Sequence, residues 1–75
     1  MKVAVIIDTL ALGDTIAAIP TLRKISQAYG GQELTVLTSK PFLFDNHPLV
    51  ENSYSLETEL TDDYTVYRTF SPLAG

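Results

Sequence analysis

The residues best suited to chemistry lie in one stretch, Asp8-Thr9-Leu10-Ala11-Leu12-Gly13-Asp14-Thr15, which holds two carboxylates, two hydroxyls and a glycine. At a helix start, unpaired N–H groups and the positive end of the dipole stabilise an anion, and Asp14 beside Gly13 supplies one of its own. Asp14 after Gly13 also reads as the N-cap of a following helix, a purely structural role. Both readings stay open. The stretch has a single glycine, so the dinucleotide fingerprint G-x-G-x-x-G is absent, and no G-x-x-x-x-G-K-[ST] phosphate loop occurs anywhere in the chain. A P-loop enzyme and a standard NAD-binding unit are both disfavoured. His47 is the sole histidine and there are no cysteines, so the usual shell of three or four N or S ligands cannot be assembled. No metal site and no cofactor are expected, and no disulfide.

These residues matter only if the elements around them form a crevice. Val3-Ala4-Val5-Ile6-Ile7 is an unbroken apolar, largely β-branched run between Lys2 and Asp8. Without polar alternation it reads as a strand covered on both faces, the mark of a central strand in a parallel α/β sheet. Residues 15–29 read as a helix with Ala18, Ile19, Leu22, Ile25 and Tyr29 on one stripe and Thr21, Arg23, Lys24 and Gln27 opposite. Asp14 is placed to start it and Gly30-Gly31 to stop it. Pro20 lies beyond the first turn and should bend it. Residues 33–38 read as a second strand, 41–46 as one or two helical turns, Leu49-Val50 with Tyr54-Ser55-Leu56 as a short third strand and 64–70 as a fourth. Residues 57–63 carry four carboxylates and suit a solvated loop. The expected sheet order is 3-2-1-4. The 8–15 stretch then joins the C-terminal end of the first strand to a helix, which is where open α/β sheets bind ligands.

Size and charge narrow the partners. A chain of 75 residues is one domain at most. It is 45 % apolar and 19 % charged, in the range of a packed fold. The net charge is -4; residues 1–40 hold four basic and three acidic side chains, and residues 41–75 one basic and six acidic. No clustered basic face is available to release counterions from phosphates, so nucleic acid is disfavoured as a partner. The longest apolar run, Val3 to Ile7, is far short of the roughly 20 residues needed to cross a bilayer, and no signal-peptide pattern follows it. A cytoplasmic location is expected. One long helix cannot cover both faces of an apolar sheet. The chain therefore reads as a partial domain that ends at Ser71-Pro72-Leu73-Ala74-Gly75, where an α/β fold would enter its next helix. The alternative is a small protein that covers an apolar open face by dimerising.

Several segments together resemble the ADP-heptose:lipopolysaccharide heptosyltransferases, glycosyltransferase family 9. They are Lys2-Val3-Ala4-Val5-Ile6-Ile7, Leu12-Gly13-Asp14-Thr15-Ile16-Ala17-Ala18-Ile19-Pro20, Leu22-Arg23 and Tyr29-Gly30. Leu34-Thr35-Val36-Leu37-Thr38-Ser39 fits the family's second strand, His47-Pro48-Leu49-Val50-Glu51 is similar to its N-P-x-V-D segment, and Asp63-Tyr64-Thr65-Val66 to its Y-D-x-V strand. The sharpest element is L-G-D with a proline six residues after the aspartate.

The resemblance implies that residues 1–75 are a Rossmann-like N-terminal half-domain of a two-domain, inverting, metal-independent GT-B enzyme. Such an enzyme moves a sugar from a nucleotide-sugar donor to a lipopolysaccharide or other glycan acceptor at the cytoplasmic side of the inner membrane. The L-G-D aspartate, as general base, carries over to Asp14, with Thr9, Gly13 and Thr15 around the acceptor. The donor site belongs to a second domain absent from this chain, which alone should not be catalytic. One departure stands out: family members often carry a basic residue near the end of the first strand, where this chain has Asp8. Asp8 would repel an acceptor phosphate, which leaves Thr9 and Thr15 as the polar contacts. Two other classes of function fit the same residues. One is a stand-alone sugar- or nucleotide-binding module, and the other an assembly subunit that forms a homo-oligomer through an uncovered sheet face.

Overall fold

The computed structural model describes residues 2–69. The order of elements is β1 (Lys2–Ile7), α1 (Leu12–Ala17), α2 (Ile19–Ala28), β2 (Leu34–Thr38), a 3-10 turn (Pro41–Phe44), β3 (Val50–Tyr54) and β4 (Tyr64–Thr69). The four strands form one all-parallel sheet in the order β3-β2-β1-β4. This is the expected 3-2-1-4 α/β arrangement. The end of the expected fourth strand, Phe70, and the closing segment 71–75 lie outside the described residues.

Successive strand side chains point to opposite faces, so Val3, Val5 and Ile7 share the face that α2 covers. There they form one buried cluster with Ala18, Leu22, Leu34, Val36, Phe44 and Val50, and Ile19, Ile25 and Tyr29 pack against it. The stripe read from the sequence is thus the buried stripe. Ser26 lies on it too, one turn beyond Leu22, and its buried hydroxyl donates to the Gln32 carbonyl at 2.7 Å. The helix ends on a Schellman pattern: Gly31 N–H reaches the Ser26 carbonyl at 2.8 Å and Gly30 N–H the Gln27 carbonyl at 3.2 Å. Both glycines have positive φ, 75° and 84°, a region that a Cβ disfavours.

Two expectations about the helix are corrected. It is not continuous over 15–29, because α1 starts at Leu12 and the segment breaks at Ala18. Pro20, with no N–H and a ring that would meet the carbonyl one turn back, occupies the first turn of α2 instead, where its missing donor costs nothing. Asp14 is not the N-cap. That position belongs to Ala11, which has no capping side chain, and Asp14 sits inside the first turn of α1.

The face opposite α2 is not bare. All strands run parallel, so the link from the end of β3 to the start of β4 must travel the length of the sheet. Residues 55–63 do this across the second face, where Asp62 meets Lys2 at 2.6 Å and Thr58 and Leu60 share a cavity wall with Tyr54 and Tyr64. Beneath them Ala4, Thr35 and Leu37 are buried. The acidic side chains Glu57, Glu59, Asp62 and Asp63 stay in solvent while Leu56 and Leu60 turn partly inward. What remains open on this face is local, chiefly Val66 and Tyr54.

The C-terminal end of α2 is tied to the edge strand by two phenols. Tyr29 and Tyr67 meet edge to face, with centroids 6.2 Å apart, and their hydroxyls are 2.6 Å apart. The hydrogen bond to Tyr67, followed by burial and the charge of Tyr67, raises the Tyr29 pKa above its usual 10.0. A folded pKa above the unfolded one supports the fold fully below the unfolded value, and that support is lost as pH rises through the folded value. Absorbance titration should therefore show one of the four tyrosines ionising last, and Tyr67→Phe should bring it back toward the others. An unchanged profile in that variant would mean the phenols do not meet in solution.

Candidate functional site

In the order β3-β2-β1-β4 the chain builds outward on one side of β1 and then returns to the other. The switch point lies between β1 and β4, and the 8–11 loop that leaves β1 stands at it. Three bonds shape the loop. Asp8 N–H continues the sheet to the Thr69 carbonyl at 3.1 Å, Thr9 N–H closes a tight turn on the Ile7 carbonyl at 2.9 Å, and Ser39 Oγ donates to the Thr9 carbonyl at 2.9 Å. The last bond fastens the loop after β1 to the loop after β2, across 30 residues of sequence.

The loop brings Thr9 against Asp14. Thr9 Oγ1 donates to Asp14 Oδ2 at 3.4 Å and accepts the Ala11 N–H at 3.2 Å. Thr9 thus serves the helix start that Asp14 was expected to serve. Asp14 keeps an exposed carboxylate, and its Oδ1 has no partner among the described hydrogen bonds. Gly13 is exposed, and a Cβ built on it would meet no atom within 4 Å. Its place in the site is therefore one of open access beside Asp14 rather than of a tight backbone approach.

Thr15 is placed differently from the other site residues. It is fully buried, and its hydroxyl donates to the Ala11 carbonyl at 2.8 Å. In this conformation it holds the first turn of α1 from beneath and presents no group to the crevice. The hydroxyl facing outward beside Asp14 is that of Thr9.

Asp8 is not a bare anion. Arg68 Nη1, on β4, is 3.1 Å from Asp8 Oδ2, and both side chains are partly exposed. A phosphate approaching the switch point would meet this ion pair rather than an isolated carboxylate. The partner was hidden in the sequence because 60 residues separate the two. Only the parallel pairing of β1 with β4, which sets Ile6 beside Arg68, brings them together.

The rim of the same end is apolar. Leu10 is 78 % exposed and Phe42 64 %, with Leu12 and Ile16 about half exposed. Two described cavities lie elsewhere. One of about 540 Å³ runs beside β3 past Asp45, His47 and Glu51, and one of about 290 Å³ sits over Lys2, Glu33 and Tyr64 at the start of the sheet. Neither includes Thr9, Gly13, Asp14 or Thr15. Asp14 is exposed and lines none of the described cavities. Among the described residues no group of three or more His, Cys, Asp or Glu side chains could hold a metal ion, and no helix is long and apolar enough to cross a membrane. Comparison with known proteins finds no matching family model, no similar curated protein and no similar solved structure.

Proposed function

We propose that this chain is the acceptor-side half-domain of a heptosyltransferase-like, inverting GT-B glycosyltransferase working on the cytoplasmic side of the membrane. The observation that carries the reading is the exposed Asp14 carboxylate at the switch point of a 3-2-1-4 parallel sheet, with Thr9 Oγ1 set against it. In the proposed reaction an acceptor hydroxyl attacks the anomeric carbon of a nucleotide sugar, the bond from that carbon to the diphosphate oxygen breaks, and the hydroxyl proton passes to Asp14. Thr9 holds one carboxylate oxygen in place and leaves the other for the acceptor. The exposure of Asp14 outside any described cavity fits this division of labour, since a second domain carrying the nucleotide sugar would close over it. The apolar rim of Leu10, Leu12, Ile16 and Phe42 suits an acceptor with a greasy portion beside its sugar.

The isolated chain offers a direct test. Titrating the ¹⁵N-labelled protein with a lipopolysaccharide inner-core oligosaccharide should shift the amide signals of Thr9, Ala11, Gly13 and Asp14, and leave those beside the β3 cavity, such as Asn46 and Asn52, in place. Shifts confined to the β3 cavity, or none at millimolar sugar, would overturn the assignment of this end of the sheet to an acceptor.

A further inference from the structure

An imidazole closes the turn from which β3 starts. His47-Pro48-Leu49-Val50 is a β-turn, with the Val50 N–H on the His47 carbonyl at 3.0 Å and proline at its second position. Inside it the Leu49 N–H donates to His47 Nδ1 at 3.1 Å, the bond to the backbone two residues on that Asp and Asn side chains make in other turns. The Leu49 carbonyl in turn accepts the Leu34 N–H at 2.9 Å, and Val50 enters the core cluster. The imidazole thus stands where the 3-10 turn, β2 and β3 meet, its ring centroid 5.9 Å from that of the buried Phe44.

The donor fixes the state of the ring. A backbone amide can only donate, so Nδ1 carries a lone pair and the proton of the neutral ring sits on Nε2. A second proton would have to go to Nδ1, where it would face the Leu49 N–H. Two donors make no bond, so the protonated ring has to leave this position. The cavity of about 540 Å³ beside β3 gives it a place to go. His47 lines that cavity with the carboxylates of Glu33, just before β2, Asp45, just after the 3-10 turn, and Glu51 on β3. These are the charged groups that share the cavity with it among the described residues, and no Lys or Arg lines it. An imidazolium turned into the cavity is attracted by three negative charges. A neutral ring gains nothing from them and keeps Leu49 and Phe44.

We propose that His47 is a pH-operated latch on the start of β3. Neutral, it closes the 47–50 turn on the Leu49 N–H; protonated, it swings into the cavity of Glu33, Asp45 and Glu51 and leaves that N–H without its acceptor. Imidazole is the side chain whose charge ordinarily changes between about pH 5 and 8. The opening is local, because the bonds from Val50 N–H to the His47 carbonyl and from Leu34 N–H to the Leu49 carbonyl do not involve the ring. The latch lies wholly within residues 33–51 and is independent of the glycosyltransferase reading, since its cavity includes none of Thr9, Gly13 and Asp14.

Amide hydrogen exchange and ring ¹⁵N shifts of the labelled chain, followed from about pH 8 to about pH 5, test this. At the upper end the ring should show the Nε2–H tautomer. Towards the lower end the protection of the Leu49 amide, corrected for the direct effect of pH on exchange, should fall about 5- to 10-fold, the loss of one hydrogen bond. Protection of the Leu34 amide should hold, and Overhauser contacts between the ring and Phe44 should weaken. His47→Asn keeps an acceptor for the Leu49 N–H and does not titrate, so its Leu49 amide should stay protected throughout. His47→Ala should lack that protection throughout; if it fails to fold, the parent and asparagine profiles decide alone. An Nδ1–H tautomer in the neutral ring, Leu49 protection that does not change with pH, or the same fall in His47→Asn would each overturn the latch.

Discussion

Asp14→Asn is expected to lower sugar transfer by roughly 100-fold or more, the usual scale for losing a positioned base, in an enzyme that carries this chain as its acceptor-side half. The substitution is a clean one. Asn keeps an oxygen for the Thr9 hydroxyl, which lies 3.4 Å from the carboxylate, and it preserves the size and exposure of the side chain. It cannot take a proton. Asp14 makes no capping hydrogen bond, since Ala11 is the N-cap. The stability cost should therefore stay below about 1 kcal/mol, the loss of one negative charge in a first helical turn. Asp14→Ala should show the same loss of transfer and also free the Thr9 hydroxyl. Transfer assays at saturating donor, read beside urea melts of both variants, separate the roles. Near-parental transfer by Asp14→Asn would remove Asp14 from the chemistry and leave it a first-turn charge.

The sheet was legible in the sequence because its signals are local and redundant. Val3 to Ile7 could only be a strand closed on both faces, and residues 33–38 and 64–69 carry β-branched and aromatic side chains between loops. The order 3-2-1-4 followed from placing that doubly covered strand inside. The start of the helix was not legible, for a specific reason. In α1 the only buried residue is Thr15, while Leu12 and Ile16 point outward. A hydrophobic stripe shows where a helix buries apolar side chains, and here it begins only at Ala18. The carboxylate at position 14 then looked like the cap of a later helix. The lid over the second face was hidden in the same way. Leu56 and Leu60 are two apolar residues scattered among acids, and such a segment reads as solvent-facing until the parallel topology forces it across the sheet.

The site was legible as a place but not as a set of partners. That the 8–15 stretch leaves the end of a central strand follows from the sequence. The Ser39 bond to Thr9 and the Arg68 pair with Asp8 do not. Both join residues at the C-terminal ends of neighbouring parallel strands, and the crossover connections of a parallel sheet put such neighbours far apart in the chain. Thr15 and Thr9 are chemically identical in the sequence. Burial alone separates them, sending one hydroxyl to the Ala11 carbonyl and the other to Asp14.

The packing of α2 yields the second large effect and a check on the helix phase. Leu22 is fully buried at the centre of the stripe, against Val3, Val5 and Leu34 in the one core cluster. Ile25 only packs against that cluster from its border. Leu22→Ala should therefore cost about 3 to 5 kcal/mol, the transfer loss plus a cavity that the strands beneath cannot close. Ile25→Ala should cost about half as much, because part of its surface already faces water. A 75-residue fold has only about 4 to 11 kcal/mol of stability at the usual 0.05 to 0.15 kcal/mol per residue. The Leu22 variant should thus lie near or beyond the edge of folding at 25 °C, and the Ile25 variant well inside it. Arg23→Ala, on the exposed side, should change stability by less than about 0.5 kcal/mol. Urea melts followed by circular dichroism rank the three. Equal losses at Leu22 and Ile25 would mean that α2 is turned on its axis, which would also move the Ala18 end of the segment and the Asp14 carboxylate that α1 carries in front of it.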